Sequence, residues 1–185
     1  MNSSTSHDGG PDLRRVIVIG APGSGKSTTS KQLAKALDAP RFSLDNIYWA
    51  AGDGRPIPDT EFVSTVDQIT RGDRWIVDGV YKQVRSMAWD RATAILWLNY
   101  SFPRVYRQVM GRTFRWLRKK TANSRLTIRE AFFHRHSPWF KVPATFRKLR
   151  REYRELFTND VSSDRILIEH RTPAETQRLL DSLGP

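Results

Sequence analysis

The sequence contains no cysteine in 185 residues. That excludes disulfides, thiolate metal sites and a cysteine nucleophile, and it suits a reducing compartment, so a cytoplasmic location is expected. No apolar run approaches the roughly 20 residues needed to span a membrane. The opening stretch MNSSTSHDGGPD lacks the charged-then-apolar order of a secretory signal. Residues 1–12 read as a disordered tail, and residues 13–185 as a single domain without internal repeat or linker. Histidine is scarce as well: His7, His134, His136 and His170 offer no metal-ligand constellation beyond the close pair at 134 and 136.

Acidic side chains are lacking in one region only. Residues 1–100 carry 12 Lys+Arg against 11 Asp+Glu, and residues 161–185 carry 3 against 4. Residues 101–160 carry 16 against 4, so the net charge of +12 is concentrated there. Such a local field calls for anions: nucleotide phosphates, a phosphorylated substrate, nucleic acid or a membrane surface.

Five short apolar runs predict buried parallel strands at Val16–Gly20, Arg41–Leu44, Trp75–Asp78, Ala94–Leu98 and Arg165–Glu169, with helical patterns between them. A first helix should begin within GSGKSTTS and end near Leu37, and a second should span Asp59–Thr70. A third should start behind Asn99 or Ser101, with Pro103 in its first turn, and run on through Trp116. Thr127–Glu130 reads as a capping box, and Pro138 and Pro143 as breaks. Alternating strands and helices argue a three-layer α/β fold. The long basic helical stretch at about 112–145 is expected to form a lid-like insertion between strands four and five.

Gly20-Ala21-Pro22-Gly23-Ser24-Gly25-Lys26-Ser27 matches GxxxxGK[ST], directly after a predicted strand and before a predicted helix. The glycines let successive N–H groups turn inward toward phosphate oxygens, and the helix behind adds its positive end. Residues 20–28, Thr28 included, form the candidate cradle for ATP. Lys26 can reach the β- and γ-phosphates, and the Ser27 hydroxyl suits Mg²⁺.

Two aspartates fall at strand ends, where ligands bind in doubly wound sheets. Asp78 closes WIVD and is placed to orient Mg²⁺; Asp45 follows FSL and is placed to take a proton from an acceptor hydroxyl. Asp45 could instead serve a turn or a helix cap, and Asp78 a turn with Gly79 behind it. Residues 46–55 then read as an acceptor-side loop. Tyr48 and Trp49 could stack on a ring or pack as core, Gly79 would admit an acceptor close to the backbone, and Arg55 and Arg85 are candidate ligands for its phosphate or carboxylate. Arg107 and Arg112, on the third helix, are the best placed arginines for stabilising charge on a transferring phosphoryl group. Residues 146–157 separate at 100° per residue into an apolar stripe (Phe146, Leu149, Tyr153, Leu156, Phe157) and a basic one (Arg147, Arg150, Arg151, Arg154).

GAPGSGKSTTSKQLAKAL, FSLDNIYW, RWIVDGVY and ILWLNYSFPRVYRQVMGR together resemble the adenylate-kinase-like P-loop kinases, with most likeness to the bacterial DNA topology modulation proteins. The resemblance covers about residues 16–118, and RILIEHRTPAETQRLL looks like the family's last strand and helix. It implies a P-loop NTPase fold with a five-stranded parallel sheet in order 2-3-1-4-5, Mg-ATP as donor, and a lid after strand four. Lys26, Ser27, Asp45 and Asp78 match positions that carry the roles argued above. The nucleoside-monophosphate signatures TGD and DGFPR are absent; the latter reads DGVYK.

An ATP-dependent kinase for a small hydroxyl or phosphate acceptor is therefore expected. The alternative is a nucleotide-regulated nucleic-acid-binding protein, or a polynucleotide-end kinase, using residues 101–160.

Overall fold

The computed structural model describes residues 11–52, 54–120, 138–160 and 165–184. The strands are β1 (Arg15–Gly20), β2 (Arg41–Ser43), β3 (Trp75–Asp78), β4 (Ala94–Leu98) and β5 (Ile166–His170). They form one parallel sheet in order β2-β3-β1-β4-β5, within a residue or so of each expected boundary. The helices are α1 (Lys26–Ala36), α2 (Leu44–Tyr48), α3 (Asp59–Thr70), α4 (Arg85–Arg91), α5 (Phe102–Lys120), α6 (Pro138–Asn159) and α7 (Pro173–Ser182).

Strand side chains alternate between two cores, as the period of two requires. Ile17, Ile19, Val77, Ile95 and Trp97 pack with Phe62 and Val66 of α3, Trp89 of α4 and Tyr153 of α6. Val16, Val18, Ile76, Leu96 and Leu98 pack on the other face with Leu33 of α1 and Leu180 of α7. Both faces are therefore covered, which explains why the strands read as continuous apolar runs. At the base of the molecule the Trp89 indole donates to Asp160 at 2.7 Å, and Arg165 pairs with the same carboxylate at 2.9 Å. This ties α4 to the end of α6 and the start of β5.

Two expectations need correction. The segment after β2 is not all loop, because Leu44–Tyr48 forms a helical turn capped by the Ser43 hydroxyl, which accepts from the Asn46 N–H. Pro143 does not break its helix: α6 runs continuously from Pro138 to Asn159. Pro138 takes the first helical position, where a missing N–H costs nothing. The bond lost at Pro143 lies near one end of a 22-residue helix held by its apolar stripe. Of the lid-like stretch, residues 112–120 continue α5 and residues 138–145 open α6. The Thr127–Glu130 capping box and His7, His134 and His136 lie outside the described residues.

His170 ends β5 with its ring buried, Nδ1 lying 3.0 Å from the Thr176 hydroxyl. Burial lowers its pKa below the ordinary 6.5, partly opposed by Glu175. The neutral ring is thus favoured in the fold. Its contribution to stability is full above 6.5, is lost as pH falls from there through the lowered folded value, and is flat below. Thermal melts from about pH 7 down to about pH 5 should show a smaller fall in Tm for His170→Asn than for the wild type. An equal fall in both would place the acid sensitivity elsewhere.

Candidate active site

The phosphate cradle sits where β1 meets α1. Gly25, with φ of +97°, is the N-cap of α1 and supplies no side-chain hydrogen bond, so the first amides of the helix stay available to an anion. Gly23, with φ of +86°, is pressed against α5: a Cβ there would collide with the Val109 side chain. Any larger residue at 23 would push α5 off the loop. This contact fixes which face of α5 looks at the phosphate cradle, namely that of Val105 and Val109.

Lys26 folds back over the loop and donates from Nζ to the carbonyls of Gly20 at 2.9 Å and Ala21 at 3.2 Å. Burial lowers its pKa, while Asp78 and Asp45 act in the opposite direction and Arg112 adds to the lowering. The structure thus brings Asp78, Asp45 and Arg112 near enough for their charges to act on Lys26. Arg107 stands apart. It is exposed and lies 200° around α5 from both Val105 and Val109 at 100° per residue, on the face away from the loop.

Asp78 is 5% exposed, and its carboxylate accepts from Arg41 at 2.6 Å; Arg41 also donates to the Ser30 hydroxyl at 2.7 Å. Asp45 sits in the first turn of α2, exposed, and accepts from the Tyr81 hydroxyl at 2.7 Å. Burial first, and then this bond to Asp45, pushes the Tyr81 pKa up, which keeps the phenol a donor across the physiological range.

Beside Tyr81 opens a cavity of about 580 Å³, bounded by the turn after β3 and by α6. Val80, Leu149 and Tyr153 give it an apolar side, and Lys82, Arg85, Lys148 and Glu152 a charged one. Arg85 pairs with Glu152 at 2.7 Å. The Tyr153 phenol is pushed up to about 12, chiefly by burial and then by Glu152, and Asp45 also acts on it. Tyr81 lines this cavity and its hydroxyl holds the Asp45 carboxylate, so Asp45 lies beside the cavity.

The other expected acceptor residues divide. Tyr48 packs edge-on against Phe62 and leans on Tyr81, so it serves the core and the cleft wall together. Trp49 is half exposed and meets the edge of Tyr48. Gly79 lies at the end of β3, its N–H bonded to the Val18 carbonyl, with open space on the side a Cβ would occupy. Arg55 is exposed, beyond the end of α2. Sequence reasoning missed Tyr81, Arg41 and Glu152. A hydroxyl two residues past a strand-end glycine, and a cation opening a short strand that ends beside Asp45, were the available signals for the first two. Glu152 carried none, because its partner is 67 residues away.

No protein-family model and no curated protein matches the sequence. Solved structures do. A shikimate kinase from Acinetobacter baumannii, in complex with shikimate, superposes with a TM-score of 0.55 over 94% of each chain at 14% identity. The chain has the shikimate kinase fold. Looser overlays are found with a shikimate kinase from Aquifex aeolicus vf5 (TM-score 0.48, 16% identity, 91% of this chain and 95% of that one) and a gluconokinase from Sinorhizobium meliloti 1021 (0.41, 15%, 80% and 98%). At such identities the likeness concerns architecture: the five-stranded sheet in its 2-3-1-4-5 order and the flanking helices.

The donor set suits a nucleotide-borne Mg²⁺ better than a resident metal. Among the described residues no group of three or more His, Cys, Asp or Glu side chains could hold a metal by itself. One hydroxyl and one carboxylate beside a phosphate cradle fit an ion that takes few protein oxygens and completes its shell with phosphate and water. Among the same residues no helix is long and apolar enough to cross a membrane.

Proposed function

We propose that this chain is an ATP-dependent kinase that phosphorylates a hydroxyl of a small molecule seated between the turn after β3 and α6. The observation that carries the reading is the convergence on Lys26: a phosphate cradle on one side and the strand-end carboxylates Asp78 and Asp45 on the other, with the cavity beside Asp45. Loop amides and Lys26 bind the β- and γ-phosphates. Lys26 exchanges its two loop carbonyls for phosphate oxygens as the nucleotide enters. Asp45, oriented by Tyr81, takes the proton of the acceptor hydroxyl; the acceptor oxygen bonds to the γ-phosphorus as the bond to the β–γ bridging oxygen breaks, and ADP leaves.

Mg²⁺, when bound with the nucleotide, supplies charge neutralisation on the phosphates, and Ser27 and Asp78 are the residues that would hold it. Asp78 already accepts from Arg41, which would keep its carboxylate oriented for the ion. Arg112 is the arginine placed to stabilise charge on the transferring group. The cleft rim carries Lys82, Lys148 and Arg85 against Glu152, which favours an acceptor bearing a carboxylate or phosphate. The likeness to the DNA topology modulation proteins rests on sequence elements alone and names no chemistry.

The test is transfer of label from γ-labelled ATP to a panel of hydroxy acids, sugar acids, nucleosides and nucleotides. A labelled small acceptor is expected. No transfer across the panel, with ATP binding intact by calorimetry, would sink the kinase reading.

A further inference from the structure

Several arginines of the fold are neutralised by close carboxylates: Arg41 by Asp78, Arg85 by Glu152, Arg91 by Asp67 and Arg165 by Asp160. The outer face of α6 lacks such pairing. Arg147, Arg150 and Arg154 form no ion pair among the described residues, and Arg151 has only a 3.9 Å contact with Glu155, both largely exposed. Of the nearby carboxylates, Glu152 bonds Arg85, and Glu169 bonds Asn99 and Arg171 while also feeling the charge of Arg150. At spacings of three and four residues these guanidinium groups repel one another along the helix. A solubilising face would ordinarily intersperse carboxylates.

This face is also concave. Arg147, Arg150, Arg151 and Arg154 line a cavity of about 670 Å³ with Phe102 of α5 and Phe146 of α6. Arg150 lies 5.9 Å over the Phe146 ring, and its Nε is buried without a hydrogen-bond partner. From Arg147 to Arg154 the helix rises about 10 Å, too far for one phosphate to bridge. Phe102, packed on Phe146 of α6, lies about 10 Å along α5 from Val109, the residue that meets Gly23 of the P-loop.

We propose that this groove binds single-stranded nucleic acid, with Arg147, Arg150 and Arg154 on successive phosphates and an unstacked base against Phe102 between them. A recessed aromatic floor between guanidinium groups suits a base free to leave its stack, which a strand offers and a duplex does not. The inference is independent of the kinase reading.

The test is fluorescence anisotropy of a labelled single-stranded oligonucleotide titrated with the full chain, from about 50 mM to about 200 mM salt. Binding should weaken with salt at a log–log slope of about −2, as three phosphate contacts on a single strand require. Replacing Arg147, Arg150 and Arg154 together by Ala should weaken it at least about tenfold, with Tm and ATP affinity unchanged. A double variant at the two exposed positions, Arg147→Gln with Arg154→Gln, should weaken it to a lesser extent and guards against a folding defect in the triple one. Saturating ATP should leave the strand bound. The proposal is overturned by absence of binding at the lower salt, by wild-type affinity in both variants, or by displacement with ATP. It is also overturned if heparin or duplex of the same sequence binds as tightly and depends equally on these arginines, since that describes an undifferentiated cationic face.

Discussion

Lys26→Ala is expected to lower phosphotransfer by about a thousandfold or more, equivalent to about 4 kcal/mol of transition-state stabilisation. The side chain is positioned for one purpose. It is held against the Gly20 and Ala21 carbonyls by bonds of 2.9 and 3.2 Å that are readily exchanged for phosphate oxygens, and burial makes its charge costly unless an anion arrives. Asp78 and Asp45 keep that charge in place meanwhile. Removing the ammonium therefore removes the cation at the transferring group and leaves both carboxylates facing incoming phosphates. The fold should tolerate the change, because the loop is fixed by its glycines and by Val109 rather than by the lysine. Near-wild-type Tm with the loss of transfer is the expected pairing. Lys26→Arg should not rescue, since a planar guanidinium does not reproduce a compact ammonium in the space under the loop. A variant that keeps a tenth of wild-type transfer would remove Lys26 from the reacting phosphate.

The sheet was legible because its strands are buried on both faces and hence read as apolar runs, and because the P-loop is a local signal: spacing, strand and helix all lie within residues 16–36. α3 was legible to the residue, since Phe62, Val66 and Ile69 repeat on one face in front of Gly72. α2 was not, because five residues complete little more than one turn and show no period. Pro143 misled for a different reason. The rule that proline breaks helices weighs a local cost, whereas α6 is held by packing of Tyr153, Leu156 and Phe157 on the sheet, which the local rule does not see.

In the site, Asp45 and Asp78 were found because strand ends are positions the sequence reveals. Their partners were hidden because they come from other strands and turns. The parallel register sets Ser43 opposite Asp78, which brings Arg41, two residues earlier on β2, within reach of the Asp78 carboxylate. Tyr81 reaches Asp45 across 36 residues. Among the arginines, helical phase separates Arg112 from Arg107, and the phase became readable only once Gly23 showed which face of α5 meets the loop.

Asp45→Asn is the sharper test of the acceptor half. As a general base, Asp45 contributes about a hundredfold to ten-thousandfold to transfer, and an amide has no basic oxygen to take the proton. Asparagine nevertheless keeps the shape and can still accept from the Tyr81 hydroxyl, so α2 and the cleft wall should remain intact. ATP affinity should stay within about threefold, because the phosphate cradle is built by other residues. The loss should appear in kcat rather than in KM for the acceptor. Tyr81→Phe removes the donor that orients the carboxylate without removing the base, and a hydrogen bond to a charged group of this kind predicts a loss of about tenfold. Graded losses, with the Asn variant far below the Phe variant, are what proton abstraction by an oriented carboxylate requires. Equal, small losses in both would instead make Asp45 a structural residue of the first turn of α2, its bond to Tyr81 serving only to hold the turn after β3.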